Sequence, residues 1–299
     1  PVTARVFINR MWRDHFGAGI VSTVEDFGTQ GANPTHPELL DYLAVEFIRS
    51  GWDIRHMHKL IVMSATYRQD SIITPEKLEK DPSNQLLARG PRFRMPAEVI
   101  RDNALMASGL LLKTVGGDSV FPYAPPAIWY GVATGVTVYP TNVPDDQMHR
   151  RSMYTYVKRN APAANLVAFD MPDRNNATVS RPVSNTPLQA LVMLNDTQFM
   201  EAYRKLSERV LLNSADEDER ITMLWRLAVR RSPRAAEVEA AKQLLAAERA
   251  RMAADPGKID GLLSIGVSPV SPDVEPAELA AMTVLTAGAM NTPDAYTLR

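Results

Sequence analysis

The residues best suited to chemistry are seven charged and polar side chains between positions 150 and 185. They comprise Arg150, Arg151, Asp170, Asp173, Arg174, Arg181 and Asn185. Cations outnumber acids in this group, and the helix that we expect to start near Pro187 exposes backbone N–H groups at its N-terminus. Both features are suited to binding an anion. An internal ion-pair network that holds a long irregular segment would use the same residues, so the sequence leaves both interpretations open.

A second group contains the candidate catalytic residues, Asp26 and His36. A carboxylate and an imidazole can perform acid–base catalysis or bind a divalent metal ion. The neighbouring acids have structural explanations, because Thr35–Glu38 has the pattern of a capping box and Asp41 falls on the outer face of the same helix. These explanations are favoured for the group as a whole, and no metal site is predicted.

Two further histidines, His56 and His58, are two positions apart on a predicted helix. That spacing points them to different faces, so they are poor joint ligands for a metal ion, and each is expected at the surface or between helices. The chain contains no nucleophile elbow, phosphate-binding glycine loop, zinc-ligand spacing or dinucleotide fingerprint.

Composition excludes several classes of protein. The absence of cysteine rules out disulfides, thiolate metal sites and covalent haem attachment within this chain. A net charge of -1 offers no argument for binding nucleic acid or an anionic membrane. The longest stretch of low charge, residues 276–290, contains Glu278 and is too short to span a bilayer. We therefore expect no cofactor in this chain, no nucleic-acid partner and no membrane span.

The pattern of apolar residues predicts a mainly α fold with several helices and long connections rich in proline and glycine. The predicted helices cover residues 4–16, a helical hairpin over 35–67, then 96–112, 187–194, 197–212, 219–230, 232–254 and 276–290. Between them, Val136–Tyr139 and Ser152–Val157 are candidates for a small β-hairpin near 136–158. We expect one family domain over 1–299 with two helical subregions, 1–113 and 187–299, around an irregular middle, 114–186, with short strands.

Several motifs together resemble one known family. They are Ala4–Gly17, Asp26–Gly28, His36–Asp41, Ile61–Gln69, Arg150–Tyr154, Phe169–Asp170, Asp173–Arg174, Asn185–Leu191 and Leu194–Asn195. Over nearly the whole chain this pattern is similar to the planctomycete PSD-one C-terminal domain, domain of unknown function fifteen fifty-three. The family has no established activity and no accepted catalytic residues that could be carried over.

The resemblance implies a module from large exported proteins, located in the periplasm or at the cell surface. Such proteins often carry an N-terminal cytochrome c-like module, so haem is expected only in a module outside this chain. The sequence starts at Pro1, without an initiator methionine and inside a predicted helix. We therefore expect it to be a fragment of a longer protein, with the other domains of that protein as partners.

Two functions fit these observations. The first is a non-catalytic module that binds a partner domain or an extracellular glycan, for which alanine at Asp173 or Arg181 is expected to destabilise the fold. The second is a hydrolase for a polysaccharide or anionic substrate, with Asp26 or His36 acting beside the arginine-rich cluster. The observation that separates them is whether Asp26 and His36 line one pocket with residues 170–181, because a catalytic base must reach its proton.

Overall fold

The structure is a computed structural model that describes residues 1–123, 147–158 and 162–298. Helices dominate these residues, which confirms the predicted mainly α fold. The chain forms two compact units. The first unit contains Pro1–Arg94, Ala177–Ser180 and Thr297–Arg299, and the second contains Met95–Asn176 and Arg181–Tyr296. That the chain acts as one family domain stays a prediction.

The first unit is built from four helices and a short antiparallel sheet among its described residues. They are α1 (Val2–Phe16), α2 (Pro37–Arg49), α3 (Ile54–Val62), α4 (Pro75–Lys80), β1 (Phe93–Arg94) and β2 (Thr297–Leu298). In the sheet, Phe93 pairs with Leu298. Ile8, Phe47 and Met57 lie at the centre of the core, and each is at most 2% exposed.

Local signals place most of these helix ends. α1 ends at Gly17, whose φ of +77° favours glycine, and a Cβ there would lie 2.7 Å from the Phe93 ring. The Asp53 side chain caps α3 by accepting the N–H of His56 at 3.0 Å. The capping box predicted at Thr35–Glu38 is wrong. The N-cap of α2 is His36, which makes no side-chain capping bond, because the Thr35 hydroxyl faces the Ile20 carbonyl.

The second unit is organised around one central helix, α8. Its described helices are α5 (Ala97–Ser108), α6 (Ala164–Val167), α7 (Pro187–Asn195), α8 (Thr197–Asn213), α9 (Glu217–Ala228), α10 (Ala235–Ala254), α11 (Gly257–Leu263), α12 (Pro276–Met290) and α13 (Pro293–Tyr296), with a 3-10 helix at Ser152–Tyr154. α8 packs against α5, α9 and α12. Most residues of α12 are buried, as expected for a helix that is apolar on all sides.

The small β-hairpin expected near 136–158 is only partly within the described residues. Val136–Tyr139 lies outside them. Ser152–Tyr154 forms a 3-10 helix rather than a strand, and Thr155 pairs with Val120 in an isolated parallel bridge. The antiparallel sheet that the described residues contain is the pair β1–β2 in the first unit. Within the described ranges, no helix combines the length and apolar content needed to cross a membrane.

Candidate functional site

The two candidate catalytic residues have local structural roles in the first unit. The Asp26 carboxylate accepts the N–H of Gly28 at 2.7 Å, which closes a tight turn. The His36 ring lies with Nδ1 3.0 Å from the Thr35 hydroxyl. His36 lines a cleft of about 310 Å³, but Asp26 is not among the residues around that cleft. Asp26 and His36 therefore do not share this cleft.

The remaining histidines of this region form contacts between helices. His56 Nε2 lies 2.9 Å from Glu46 Oε1 on α2, whereas His58 Nδ1 lies 2.8 Å from His15 Nε2 on α1. Burial, together with the neighbouring His58, lowers the pKa of His15. Their different partners confirm that His56 and His58 face different neighbours. In the part of the chain that the structure describes, no three histidine, aspartate or glutamate side chains are grouped as metal ligands.

All seven candidate binding residues belong to the second unit. Among them, Arg150 is buried and bonds to other residues of the chain. Its guanidinium donates to the carbonyl of Asp118 at 3.0 Å and to that of Gly116. It also stacks over the ring of Tyr154, 4.0 Å from the ring centroid. Arg150 thus holds the connection around 114–118 and is not free to bind a ligand.

The charged side chains from Asp170 to Arg181 form hydrogen bonds and ion pairs mainly with other residues of the chain. The Asp170 carboxylate accepts both the N–H and the hydroxyl of Ser184 at 2.8 Å. Asp173 accepts the backbone N–H and the side-chain amide of Asn175, and these bonds lower the pKa of Asp173. Arg181 donates to Glu98 at 2.7 Å. At Asp170, Asp173 and Arg181, these contacts favour an internal network of ion pairs and hydrogen bonds rather than an anion-binding site. Arg174 and Asn185 are exposed.

Alanine substitutions should show which interactions of this segment contribute most to the free energy of unfolding. Asp170 has a φ of +64°, a conformation that alanine disfavours, and its loss would strand two donors of Ser184. We expect Asp170→Ala to lower the free energy of unfolding by about 2 kcal/mol. Arg181→Ala should cost less than about 1 kcal/mol, because its ion pair is partly exposed.

Urea unfolding followed by circular dichroism would measure both effects. Asp170→Asn is the matched control, because asparagine tolerates the same backbone conformation and should recover part of the loss. An Arg181→Ala variant that is less stable than Asp170→Ala would contradict this assignment.

Of the exposed candidates Arg151, Arg174 and Asn185, Arg151 is the one that lines a groove among those described. It is exposed and lines a groove of about 440 Å³ in the second unit. The residues around this groove are Val99, Asp102, Asn103, Met106, Leu111, Lys113 and Arg151. Lys113 is a second exposed cation, and Val99 and Met106 expose 44% and 51% of their surface. The groove therefore combines two cations with an apolar floor.

A buried arginine fixes the position of Arg151. Arg101 is 1% exposed and donates to the carbonyls of Arg150 and Met148, both at 2.8 Å. Asp102 accepts the N–H of Ser152 at 2.8 Å. Residue 151 is thus held on both sides by bonds from α5. Burial lowers the pKa of Arg101 to about 10, so its guanidinium remains charged at neutral pH.

Lys113 is positioned by the same part of the chain. The N–H of Leu112, its neighbour in sequence, donates to the carbonyl of His149 at 3.0 Å, and Leu112 forms a parallel bridge with Arg150. Sequence reasoning missed Lys113 as well as Arg101. A signal for Arg101 exists, because Ala97, Arg101 and Ala104 follow a helical spacing on the buried face of α5.

A buried carboxylate, Glu201, anchors the other side of the segment that carries Arg151. Its Oε2 accepts the hydroxyl of Tyr123 at 2.9 Å and lies 3.0 Å from Nε2 of His149. Its Oε1 accepts the backbone N–H groups of Val267 and Ser268 at 3.0 and 2.7 Å. Four partners surround this side chain, which is completely buried. The partners are 52 to 78 residues distant in sequence, so no local pattern predicts them.

Both the hydrogen bonds to Glu201 and the packing around it indicate that its carboxyl group is ionised. Burial raises the pKa of this carboxyl, but the bonds from His149 and Ser268 outweigh that effect and lower the pKa to about 2. The adjacent Gly266 has a φ of +90°, and a Cβ there would lie 2.4 Å from the Glu201 carboxyl carbon. The loop can therefore close on the carboxylate only with glycine at 266.

The comparison with known proteins identifies one family and no characterised relative. A family model described as PSD1, protein of unknown function (DUF1553), matches residues 1–245. No curated protein and no solved structure matches the chain. The matched range includes the cleft of the first unit, the groove beside Arg151 and the Glu201 carboxylate.

Proposed function

The chain belongs to the PSD1 family of proteins of unknown function (DUF1553), which supplies no activity, and from its geometry we propose a non-catalytic module that binds a partner polypeptide. The binding surface is the groove of the second unit beside Arg151. Its ligand is a segment of another domain of the same full-length protein. This segment carries carboxylates next to apolar side chains.

The observation that carries the proposal is a surplus of positive charge above exposed apolar side chains. Arg151 and Lys113 form no ion pair with any described residue. The Asp102 carboxylate of the groove is already engaged by Ser152 and lies 3.5 Å from the guanidinium of Arg101. A ligand with carboxylates would therefore gain two ion pairs without displacing an internal one.

The apolar floor favours a polypeptide over a sugar at this groove. The described residues that line it include no aromatic side chain, and the exposed Met106 is a side chain that adapts to varied apolar partners. Val99, Asn103 and Met106 lie one and two turns apart on α5. That spacing matches an amphipathic partner helix that presents apolar residues every three or four positions.

Charge removal at the groove provides the test. The probe is a synthetic amphipathic peptide with leucines at helical spacing flanked by glutamates, and its binding is followed by fluorescence anisotropy. We expect Arg151→Ala and Lys113→Ala each to raise Kd about threefold to tenfold, with weaker binding at higher salt. A peptide with lysines in place of the glutamates should bind less tightly than the acidic one.

Arg226→Ala is the matched control, because Arg226 is an exposed arginine on α9 away from the groove. Its Kd should equal that of the unaltered protein. Equal binding of the acidic and basic peptides, or unchanged Kd values for both groove variants, would rule out this binding surface.

The alternative function, a hydrolase that uses Asp26 or His36, has less support. A hydrolytic dyad needs both groups at one substrate, but only His36 lines the cleft of its unit. Export and association with a cytochrome c-like module are part of the proposal and rest on the resemblance in sequence. Reading the complete coding sequence for an export signal and a C-x-x-C-H haem motif would test both.

A further inference from the structure

We propose that the cleft of the first unit is a separate binding site for an uncharged sugar, of about the size of a disaccharide. The described residues that line the cleft all belong to the first unit, and none of them lines the groove beside Arg151. Its volume is about 310 Å³, which is at the lower end of the range for small-molecule sites.

The rim of the cleft offers neutral hydrogen-bonding groups. Ser71, Ser83 and Gln85 line it, and Ser83 and Gln85 are exposed. None of these three side chains makes a hydrogen bond to another described residue. Hydroxyl and amide groups both donate and accept, which is the property needed to bind a ligand that presents many hydroxyls.

Two buried aromatic side chains contribute to the lining of the cleft. Trp12 and Phe16 stack with their ring centroids 4.0 Å apart, and both contribute to the lining. Ile20 and Leu87 add aliphatic surface on either side. A sugar ring has an apolar face of C–H groups and a polar edge, so a lining of this kind together with a rim of hydroxyls and amides complements it.

The cations at the cleft are already engaged. Arg89 is 6% exposed, and its terminal nitrogens donate to the carbonyls of Asp81 and Pro82 at 2.9 Å. Arg92 also has interactions of its own. The groups available to a ligand are therefore mainly neutral, which favours an uncharged sugar over a phosphate or a uronate.

Both walls are held in place by internal bonds. On one wall, the Asn84 side chain bonds to both the N–H and the carbonyl of Arg89 across the loop. Next to the lining residue Ile20, the buried Asn9 bonds to both backbone groups of Val21, and the N–H of Thr35 donates to the Ile20 carbonyl at 2.9 Å. A cleft with fixed walls loses little conformational entropy on binding, which allows a small neutral ligand to bind measurably.

Blocking the cleft with a large side chain tests the proposal without disturbing the core. The probes are cellobiose, maltose, mannobiose and chitobiose, each titrated into the 299-residue protein and followed by saturation-transfer NMR. We expect at least one to bind with a Kd of about 0.1–5 mM. Ser83→Trp should weaken that binding at least about tenfold, and Gln85→Trp, at a second position of the rim, should do the same.

Ser22→Trp is the control, because Ser22 is an exposed serine of the same unit that does not line the cleft. It should leave the Kd unchanged, and thermal unfolding should show all three variants folded. Absence of saturable binding by every disaccharide up to about 20 mM would overturn the proposal, as would equal binding by Ser83→Trp. Preferential binding of digalacturonate or of a tetra-alanine peptide would also overturn it. The acidic peptide for the other groove should bind the Ser83→Trp variant normally.

Discussion

Replacing Glu201 with alanine is expected to lower the free energy of unfolding of the second unit by about 3–5 kcal/mol, the largest effect of any single change considered for this protein. The variant would remove the Glu201 acceptor from the Tyr123 hydroxyl, the His149 ring and the N–H of Ser268, while the N–H of Val267 would keep its bond to the Tyr123 hydroxyl. It would also open a cavity beneath Gly266, whose backbone packs against the carboxyl group.

The same carboxylate makes stability depend on acid. Folding lowers the pKa of Glu201 from an ordinary 4.5 to about 2. Its contribution is therefore fully present above about pH 5 and is lost as pH falls towards 2, because the unfolded chain takes up the proton first. The lowered pKa corresponds to about 3 kcal/mol in all. Glu201→Gln carries no titrating group and should flatten this part of the pH dependence.

Urea unfolding at a series of pH values between about 2 and 7 measures both expectations. Glu239→Ala is the matched control, since Glu239 is an exposed glutamate on α10, and its effect should stay within about 0.5 kcal/mol. A Glu201→Ala protein as stable as this control would show that the buried bonds contribute nothing. An unchanged pH dependence in Glu201→Gln would show that another group titrates.

Replacing Arg101 with lysine is expected to cost about 2–4 kcal/mol despite the conserved charge. The guanidinium of Arg101 donates to Gln198, Ser152 and two backbone carbonyls from one planar group. A lysine ammonium group cannot satisfy acceptors in these directions, so buried carbonyls would be left without a partner. Because these carbonyls belong to Met148 and Arg150, just before Arg151, the variant should also bind the acidic peptide less tightly.

Two measurements separate the structural role of Arg101 from direct binding. Unfolding in urea reports the loss of stability, and anisotropy under conditions where the variant is folded reports the Kd of the acidic peptide. We expect the Kd to rise about threefold or more, whereas Arg226→Ala should change neither quantity. Unchanged stability together with an unchanged Kd would show that Arg101 does not position Arg151.

Glu201 and Arg101 both bond to the same short segment, residues 148–152. Gln198 and Glu201 lie one turn apart on α8. Gln198 accepts from Arg101 and donates to the carbonyl of Met148 at 3.0 Å, and Glu201 lies 3.0 Å from the ring of His149. α8 thus holds residues 148 and 149, which lie three and two positions before Arg151, the cation that lines the groove. Loss of Glu201 should therefore weaken peptide binding as well as stability.

The sequence by itself determined the longer helices and the family, whereas short helices such as Pro75–Lys80 and Gly257–Leu263 were not predicted. The predicted spans 197–212 and 276–290 agree with Thr197–Asn213 and Pro276–Met290 to within a residue. The cap at Asp53 was also predictable from sequence. Periodicity and capping depend on residues three or four positions apart, so the local sequence contains the information that decides them.

The tertiary structure alone determined which charged side chains bond to other residues of the chain and which are exposed to a ligand. Arg150 and Arg151 are adjacent and chemically identical, yet one is buried over Tyr154 and the other lines the groove. The partners of Arg101 and Glu201 lie about 50 or more residues away for every contact outside their own helices. Ser152 likewise forms a 3-10 helix where its composition predicts a strand, held by Asp102 on α5. A buried charge is stable only where hydrogen-bond donors or acceptors contact it. Because these partners come from elements that are distant in sequence, only the packing of those elements determines them.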